Sequence, residues 1–284
     1  MAALLFSLSF LFVTQANQAD LIHALQTGTS LQQRKDALGQ ILQIPPAQRS
    51  EQLWLALADK LESESRLLHQ KTEALAAAVD AGTAPVVSDE REEDEVGAEY
   101  LRELAEAVGQ WHDTRALPAL VDAASLVDRN VFLQFGDAAV APLVTGARQG
   151  HWYEQSTVLF NLQTLLEGRP AIPTPVSPLL GPVENPSLFA AIEPAQLSAQ
   201  SKQQIRDLAR DLLKPKALRS ELVVVTLPQV SNIALATGDP DLRRQVQALA
   251  DLPSELSNTT GITDANKLLQ VQNSIRAALA QHKQ

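Results

Sequence analysis

Two short clusters in the chain combine an imidazole with a carboxylate, which are residue types used in acid–base catalysis and zinc binding. His112 precedes Asp113, and His151 lies three residues before Glu154. An oriented histidine can transfer protons, and imidazole and carboxylate groups can ligate zinc. The chain has neither a His-Glu-x-x-His motif nor another close pair of histidines. We therefore predict no catalytic residue, no metal site and no cofactor.

Aromatic residues flank both histidines and indicate a different use for the clusters. Trp and Tyr are frequent anchors of protein interfaces. We predict that Trp111, His112, His151, Trp152 and Tyr153 contact a protein or peptide partner. In the alternative interpretation these aromatic rings simply pack between helices.

Composition and missing motifs exclude several functional classes. The net charge of −10 opposes binding to a polyphosphate backbone, so we predict no nucleic-acid partner. The sequence contains no Gly-rich phosphate loop and no Gly-x-Ser-x-Gly nucleophile elbow. An enzyme of unrecognised type, using His112 and His151, is the remaining catalytic alternative.

The beginning of the chain has the pattern of a secretory signal. Residues 4–13 are almost entirely apolar, and small residues at Thr14 and Ala16 fit a cleavage site. We predict a signal peptide over 1–16 and export to the bacterial periplasm or secretion, with an uncleaved anchor or a buried helix as alternatives. The chain has no cysteine, which suits a bacterial envelope protein better than a disulfide-rich extracellular one. We predict no transmembrane segment in the mature chain.

Helical periodicity dominates the rest of the sequence and predicts an all-α fold. Ser30 and Gln33 form a capping box, and Leu53, Leu57 and Leu61 have the spacing of one helix face. Aliphatic residues are abundant and aromatic residues make up only 4% of the chain, which favours packed helices over a sheet core.

A phrase that occurs twice indicates a repeat architecture. Asp113-Thr-Arg-Ala-Leu-Pro118-Ala-Leu-Val is followed by Asp137-Ala-Ala-Val-Ala-Pro142-Leu-Val-Thr, with the Asp and the Pro at the same spacing. We expect each Asp to cap a helix and each Pro to lie in its first turn. The first phrase resembles the first helix of a HEAT-like repeat, as does the helix start within 238–250. The resemblance is best over 113–168 and 238–250.

This resemblance implies an α-solenoid of antiparallel helical hairpins; the alternative is an irregular helical bundle. HEAT units take about 40 residues, a spacing similar to that between the two aromatic clusters, so neighbouring repeats would present both clusters on one rim. The two copies of the repeated phrase, however, begin only 24 residues apart, which is less than the length of one HEAT unit.

The predicted organisation has five parts. The signal peptide (1–16) is followed by N-terminal helical hairpins (17–87), a HEAT-like region (88–168), a Pro-rich linker or long loop (169–200) and C-terminal helices (201–284). At the start of the HEAT-like region, an acidic run over 88–95 precedes a helix that we expect to begin at Val96. We predict a non-enzymatic scaffold of the bacterial envelope that binds proteins or peptides. The alternative is a structural subunit of a larger envelope complex.

Overall fold

The computed structural model divides into two compact units, Met1–Asp128 (unit 1) and Arg129–Gln284 (unit 2). It describes residues 15–81, 83, 91–127, 130–169, 191–215, 217–218 and 223–282, without the side chains of 15–16, 79–80, 91–96 and 152–153. The predicted signal peptide therefore lies almost wholly outside the described residues. The division between the units falls inside the predicted 88–168 region.

Unit 1 is built from helices. They are α1 (Gln15–Thr27), α2 (Leu31–Leu42), α3 (Glu51–Asp80), α4 (Arg91–Gly109) and α5 (Leu117–Asp122), with 3-10 turns at Pro46–Gln48 and Thr114–Ala116. α1 packs on α2 and α3, α2 on α4, and α3 on α4 and α5.

Local sequence signals explain where these helices begin. The Ser30 hydroxyl accepts the Gln33 backbone N–H, and the Gln33 side chain accepts the Ser30 N–H, so the predicted capping box is confirmed. Leu53, Leu57 and Leu61 are fully buried along α3, as their spacing predicts. α4 begins at Arg91, earlier than the predicted Val96, because acidic residues suit the first turn of a helix.

Unit 2 is also built from helices. They are α6 (Val131–Phe135), α7 (Val140–Gln149), α8 (Trp152–Glu167), α9 (Ala199–Leu212), α10 (Val223–Ala236), α11 (Pro240–Asp251), α12 (Pro253–Thr260) and α13 (Ala265–Gln281), with a 3-10 turn at Gly136–Ala139. α10 contacts α8, α9, α11 and α13. Its apolar, β-branched sequence suits a helix that is surrounded by other helices.

The two copies of the repeated phrase form similar local structures but use their aspartates differently. Each copy is a 3-10 turn leading into an α-helix that carries its proline in the first turn. Asp113 caps its own turn by accepting the Arg115 N–H. The prediction that Asp137 caps its helix is wrong: its carboxylate accepts the N–H of Ser198, the N-cap of α9.

The two ends of the Pro-rich segment meet in unit 2. Arg169 and Ile192 exchange two backbone hydrogen bonds of 2.7 Å, forming an isolated antiparallel bridge. Gly168 precedes this bridge with a φ of +71°, and a Cβ there would lie 2.2 Å from the Ile192 carbonyl oxygen. The helices on either side of the segment, α8 and α9, belong to one unit. Whether the segment is a linker or a long loop stays a prediction. Residues 170–190 themselves lie outside the described part of the chain.

The all-α prediction is confirmed, with no strand among the described residues. None of the described helices combines the length and the apolar character needed to cross a membrane. The HEAT-like solenoid stays a prediction.

Candidate functional site

Trp111, one of the predicted partner-binding residues, is stacked on Trp54 in unit 1. The ring centroids lie 6.0 Å apart and the ring planes differ by 2°. Only 9% of Trp111 and 7% of Trp54 is exposed. Parallel indole rings at this separation attract each other beyond the effect of burial alone. The pair therefore ties the start of α3 to the end of α4.

Each indole of this pair also contacts a guanidinium. The Arg49 Cζ lies 4.8 Å from the Trp54 ring centroid, and the Arg115 Cζ lies 5.0 Å from that of Trp111. Arg49 is 6% exposed and donates to the Ile44 carbonyl and to the Gln110 side chain, both at 3.0 Å. Burial lowers the pKa of Arg49 from its ordinary value. These contacts are those of a packed structural cluster.

The outer guanidinium of the cluster is held by two carboxylates. Arg115 pairs with Asp113 at 2.7 Å and with Glu51 at 2.6 Å. The hydrogen bonds from the Arg115 side chain, and then from its backbone N–H, lower the pKa of Asp113 to about 2. This carboxylate is therefore committed to a cation and a helix cap, which leaves it a poor proton acceptor at neutral pH.

The remaining predicted residues fall partly outside what the structure describes. His112 is exposed in unit 1. His151 is half-buried in unit 2 and immediately precedes α8, whose first two residues are Trp152 and Tyr153. The side chains of those two residues lie outside the described set. The two clusters belong to different units, so their joint role in partner binding stays a prediction.

A histidine that sequence reasoning passed over is among the most buried polar residues of unit 1. His69 in α3 is 1% exposed, and its Nε2 lies 2.7 Å from the carbonyl oxygen of Asp122 at the end of α5. Its position on the inner face of α3 was the only sequence signal for this contact. The ring connects two helices that are distant in the sequence.

An open groove of about 1230 Å³ lies along the hairpin formed by α1 and α2. α1 contributes Asp20, Leu21 and Ala24, and α2 contributes Asp36, Ala37 and Gln40. The spacing within each set places its members on one helix face. Its volume exceeds that of typical small-molecule pockets, which hold about 300–1,000 Å³.

The charged groups of the groove are all acidic. Its described lining includes Asp20 and Asp36 but no Lys, Arg or His. The cationic residues of α2 pair with carboxylates: Arg34 lies 3.3 Å from Glu64 of α3, and Lys35 lies 2.9 Å from Glu99 of α4. Arg34 also donates to the carbonyl of Gly28, which lines the groove, at 3.1 Å. The hydrogen bond from Lys35 lowers the pKa of Glu99.

Sequence reasoning missed the groove, Trp54 and Arg49. The absence of Lys and Arg from residues 15–33 was the available signal for an acidic surface. Nothing in the spacing of Arg49 and Trp54 indicated that they would meet Trp111.

Comparison of the chain with protein-family models, with curated proteins and with solved structures found no match.

Proposed function

We propose that this chain is a non-enzymatic scaffold of the bacterial envelope that binds a protein or peptide. The observation that carries this proposal is the open groove between α1 and α2. A groove walled by two helices offers an extended surface to a polypeptide, and it requires no special chemistry.

The order of helix packing supports a HEAT-like arrangement within this proposal. In unit 2, α7 packs on α8 and α9, α8 on α10, and α10 on α13. α9 begins at residue 199 and α11 at residue 240, a separation of about 40 residues that fits one HEAT unit. In unit 1 the hairpin of α1 and α2 packs on α3 and α4.

Export is the second element of the proposal, and the apolar residues 4–13 support it. Its test is fractionation of the producing bacterium followed by N-terminal sequencing. The expected mature chain begins at Asn17. Recovery of the intact chain from the cytoplasm would contradict export.

Partner binding is tested by affinity capture from the envelope fraction with a variant that fills the groove. Ala24 is exposed and lines the groove, whereas Ala77 is exposed on α3 and is not in the groove lining. Ala24→Arg should lose a partner that the wild-type chain and Ala77→Arg both retain. Equal capture by all three proteins would place binding outside the groove, and no enrichment by any of them would refute the scaffold proposal.

The second candidate function is that of a structural subunit of a larger envelope complex. Leu67 and Leu75, on α3, are 55% and 53% exposed and two helical turns apart, which suits a permanent contact. The double substitution Leu67→Lys/Leu75→Lys should then release the chain from a high-mass complex in size-exclusion chromatography. An unchanged elution position would remove this candidate.

A further inference from the structure

We infer that the groove between α1 and α2 binds one basic amphipathic helix. This inference rests on the proposed peptide-binding function and specifies the chemistry of the partner. Three features of the groove indicate this occupant: its shape, the character of its lining and its charge.

The shape of the groove suits a helix laid along the hairpin. α1 has 13 residues, so it extends about 20 Å, the length of a helical peptide of about 14 residues. Leu21 and Ala24 provide apolar contacts on α1, and Pro45 is exposed after α2 at the same groove. An apolar stripe at helical spacing on the partner would cover these side chains.

Charge selects a basic partner from among amphipathic helices. Asp20 and Asp36 are exposed at the groove. The Asp36 Oδ1 accepts the Gln32 side chain at 2.7 Å, and a carboxylate can accept further hydrogen bonds. Lys or Arg residues beside the partner's apolar stripe would meet these two carboxylates.

The two cationic residues of α2 pair with carboxylates of other helices. Arg34 and Lys35 are bound to carboxylates of α3 and α4, and their side chains are 21% and 22% exposed. Neither residue belongs to the groove lining, whose charged groups are Asp20 and Asp36. A second copy of the chain, with a net charge of −10, is a less suitable occupant than a cationic peptide.

The test uses the full chain and two fluorescein-labelled peptides of about 14 residues, the length set by α1. One peptide carries Leu on one helix face and Lys on the other, and the second has Glu at every Lys position. Fluorescence anisotropy should show binding of the Lys peptide, weakened at high ionic strength, and weaker binding of the Glu peptide.

Two double variants with the same change in net charge locate the binding. Asp20→Asn/Asp36→Asn removes the groove carboxylates, and Asp59→Asn/Glu106→Gln removes exposed carboxylates outside it. We expect the first variant to bind the Lys peptide about fivefold more weakly, and the second to bind as the wild-type chain does.

Equal weakening in both variants would mean that the peptide senses only overall charge, which would overturn the inference. Failure of the Lys peptide to bind would overturn it as well. The proposed scaffold function is tested separately. An envelope partner that is still captured by the Asp20→Asn/Asp36→Asn variant would support the scaffold function. The same result would refute the binding of a basic helix in the groove.

Discussion

The Asp137 carboxylate accepts the backbone N–H of Ser198 at 2.8 Å, across 61 positions of the chain. The contact joins the 3-10 turn before α7 to the N-cap of α9. In contrast, Asp113 is the equivalent residue in the first copy of the repeated phrase. Its carboxylate accepts the backbone N–H of Arg115, only two positions away, and caps its own turn. The same sequence feature thus makes a local contact in unit 1 and a long-range contact in unit 2.

Replacement of Asp137 by Ala should lower the thermal stability of unit 2 by a few degrees, because the Ser198 N–H loses its acceptor. The hydrogen bond from the Ser198 backbone lowers the pKa of Asp137. The stabilising effect of the Asp137 carboxylate is therefore present above its unfolded-state pKa. This effect is lost as the pH falls through its folded-state pKa. Circular dichroism melts between pH 7 and pH 3 measure this loss.

Asp137→Asn is the control, because an amide oxygen still accepts the hydrogen bond but does not titrate in this range. It should retain more stability than Asp137→Ala, without the acid-dependent decrease. Identical melts for the wild type and Asp137→Ala would contradict the assigned role.

The stacked pair of Trp54 and Trp111 should contribute measurably to the stability of unit 1. Either substitution by Ala should cost about 3–5 kcal/mol, the usual range for a large buried aromatic. A double-mutant cycle should give a coupling of about 0.5–1.5 kcal/mol. Urea unfolding monitored by far-UV circular dichroism provides these values. Additive losses would show that the rings do not interact as the stacked geometry implies.

Gly168 and Gly39 should respond to the same substitution in opposite directions. Gly168→Ala should destabilise the fold by about 1–3 kcal/mol, because its φ is positive and the new Cβ would collide with the Ile192 carbonyl. Gly39 lies inside α2 with no atom within 4 Å of an added Cβ. Gly39→Ala should stabilise it by about 0.5–1 kcal/mol.

Urea midpoints of the two single variants provide this comparison. If Gly168→Ala were as stable as the wild type, the close approach between Gly168 and Ile192 would be refuted.

Glu167 should make unit 2 less stable as the pH rises from mildly acidic values. It lies 3.2 Å from the imidazole of His282 and accepts the Gln163 side chain. Burial nevertheless raises its pKa above the ordinary value of 4.5. The folded state therefore holds this proton more tightly than the unfolded state does.

The resulting stability is present below the unfolded-state pKa and is lost as the pH rises through the folded-state pKa. Glu167→Gln should remove this part of the pH dependence while keeping the side-chain volume. Chemical unfolding of both proteins between about pH 4 and pH 7 tests the sign. A wild-type stability that rises relative to the Gln variant over this interval would contradict it.

Helix positions could be predicted from the sequence wherever a local signal was sufficient. Ser30, Asp239 and Asp264 each cap the helix that follows them, and the apolar spacing of α3 marks its buried face. The β-branched run that begins α10 forms a helix with many buried residues, although these residue types also favour strands.

Contacts between distant residues could not be predicted in the same way. Asp239 also accepts Arg210 of α9, and neither residue indicates this partner in its own surroundings. The sequence predicts a partner contact for Trp111, with packing between helices as the alternative. Both remain open at that point because aromatic rings are frequent in interfaces and in cores. The position of Trp111 in the stack depends on Trp54, which tertiary packing alone brings near.

The bridge between Arg169 and Ile192 bears on how well unit 2 tolerates a longer chain between these two residues. The bridge holds the two ends of the intervening segment together. Doubling the length of that segment would therefore add only about 0.6 kcal/mol to the entropic free-energy cost of closing it. We therefore expect an insertion between these two residues to lower the stability of unit 2 only slightly.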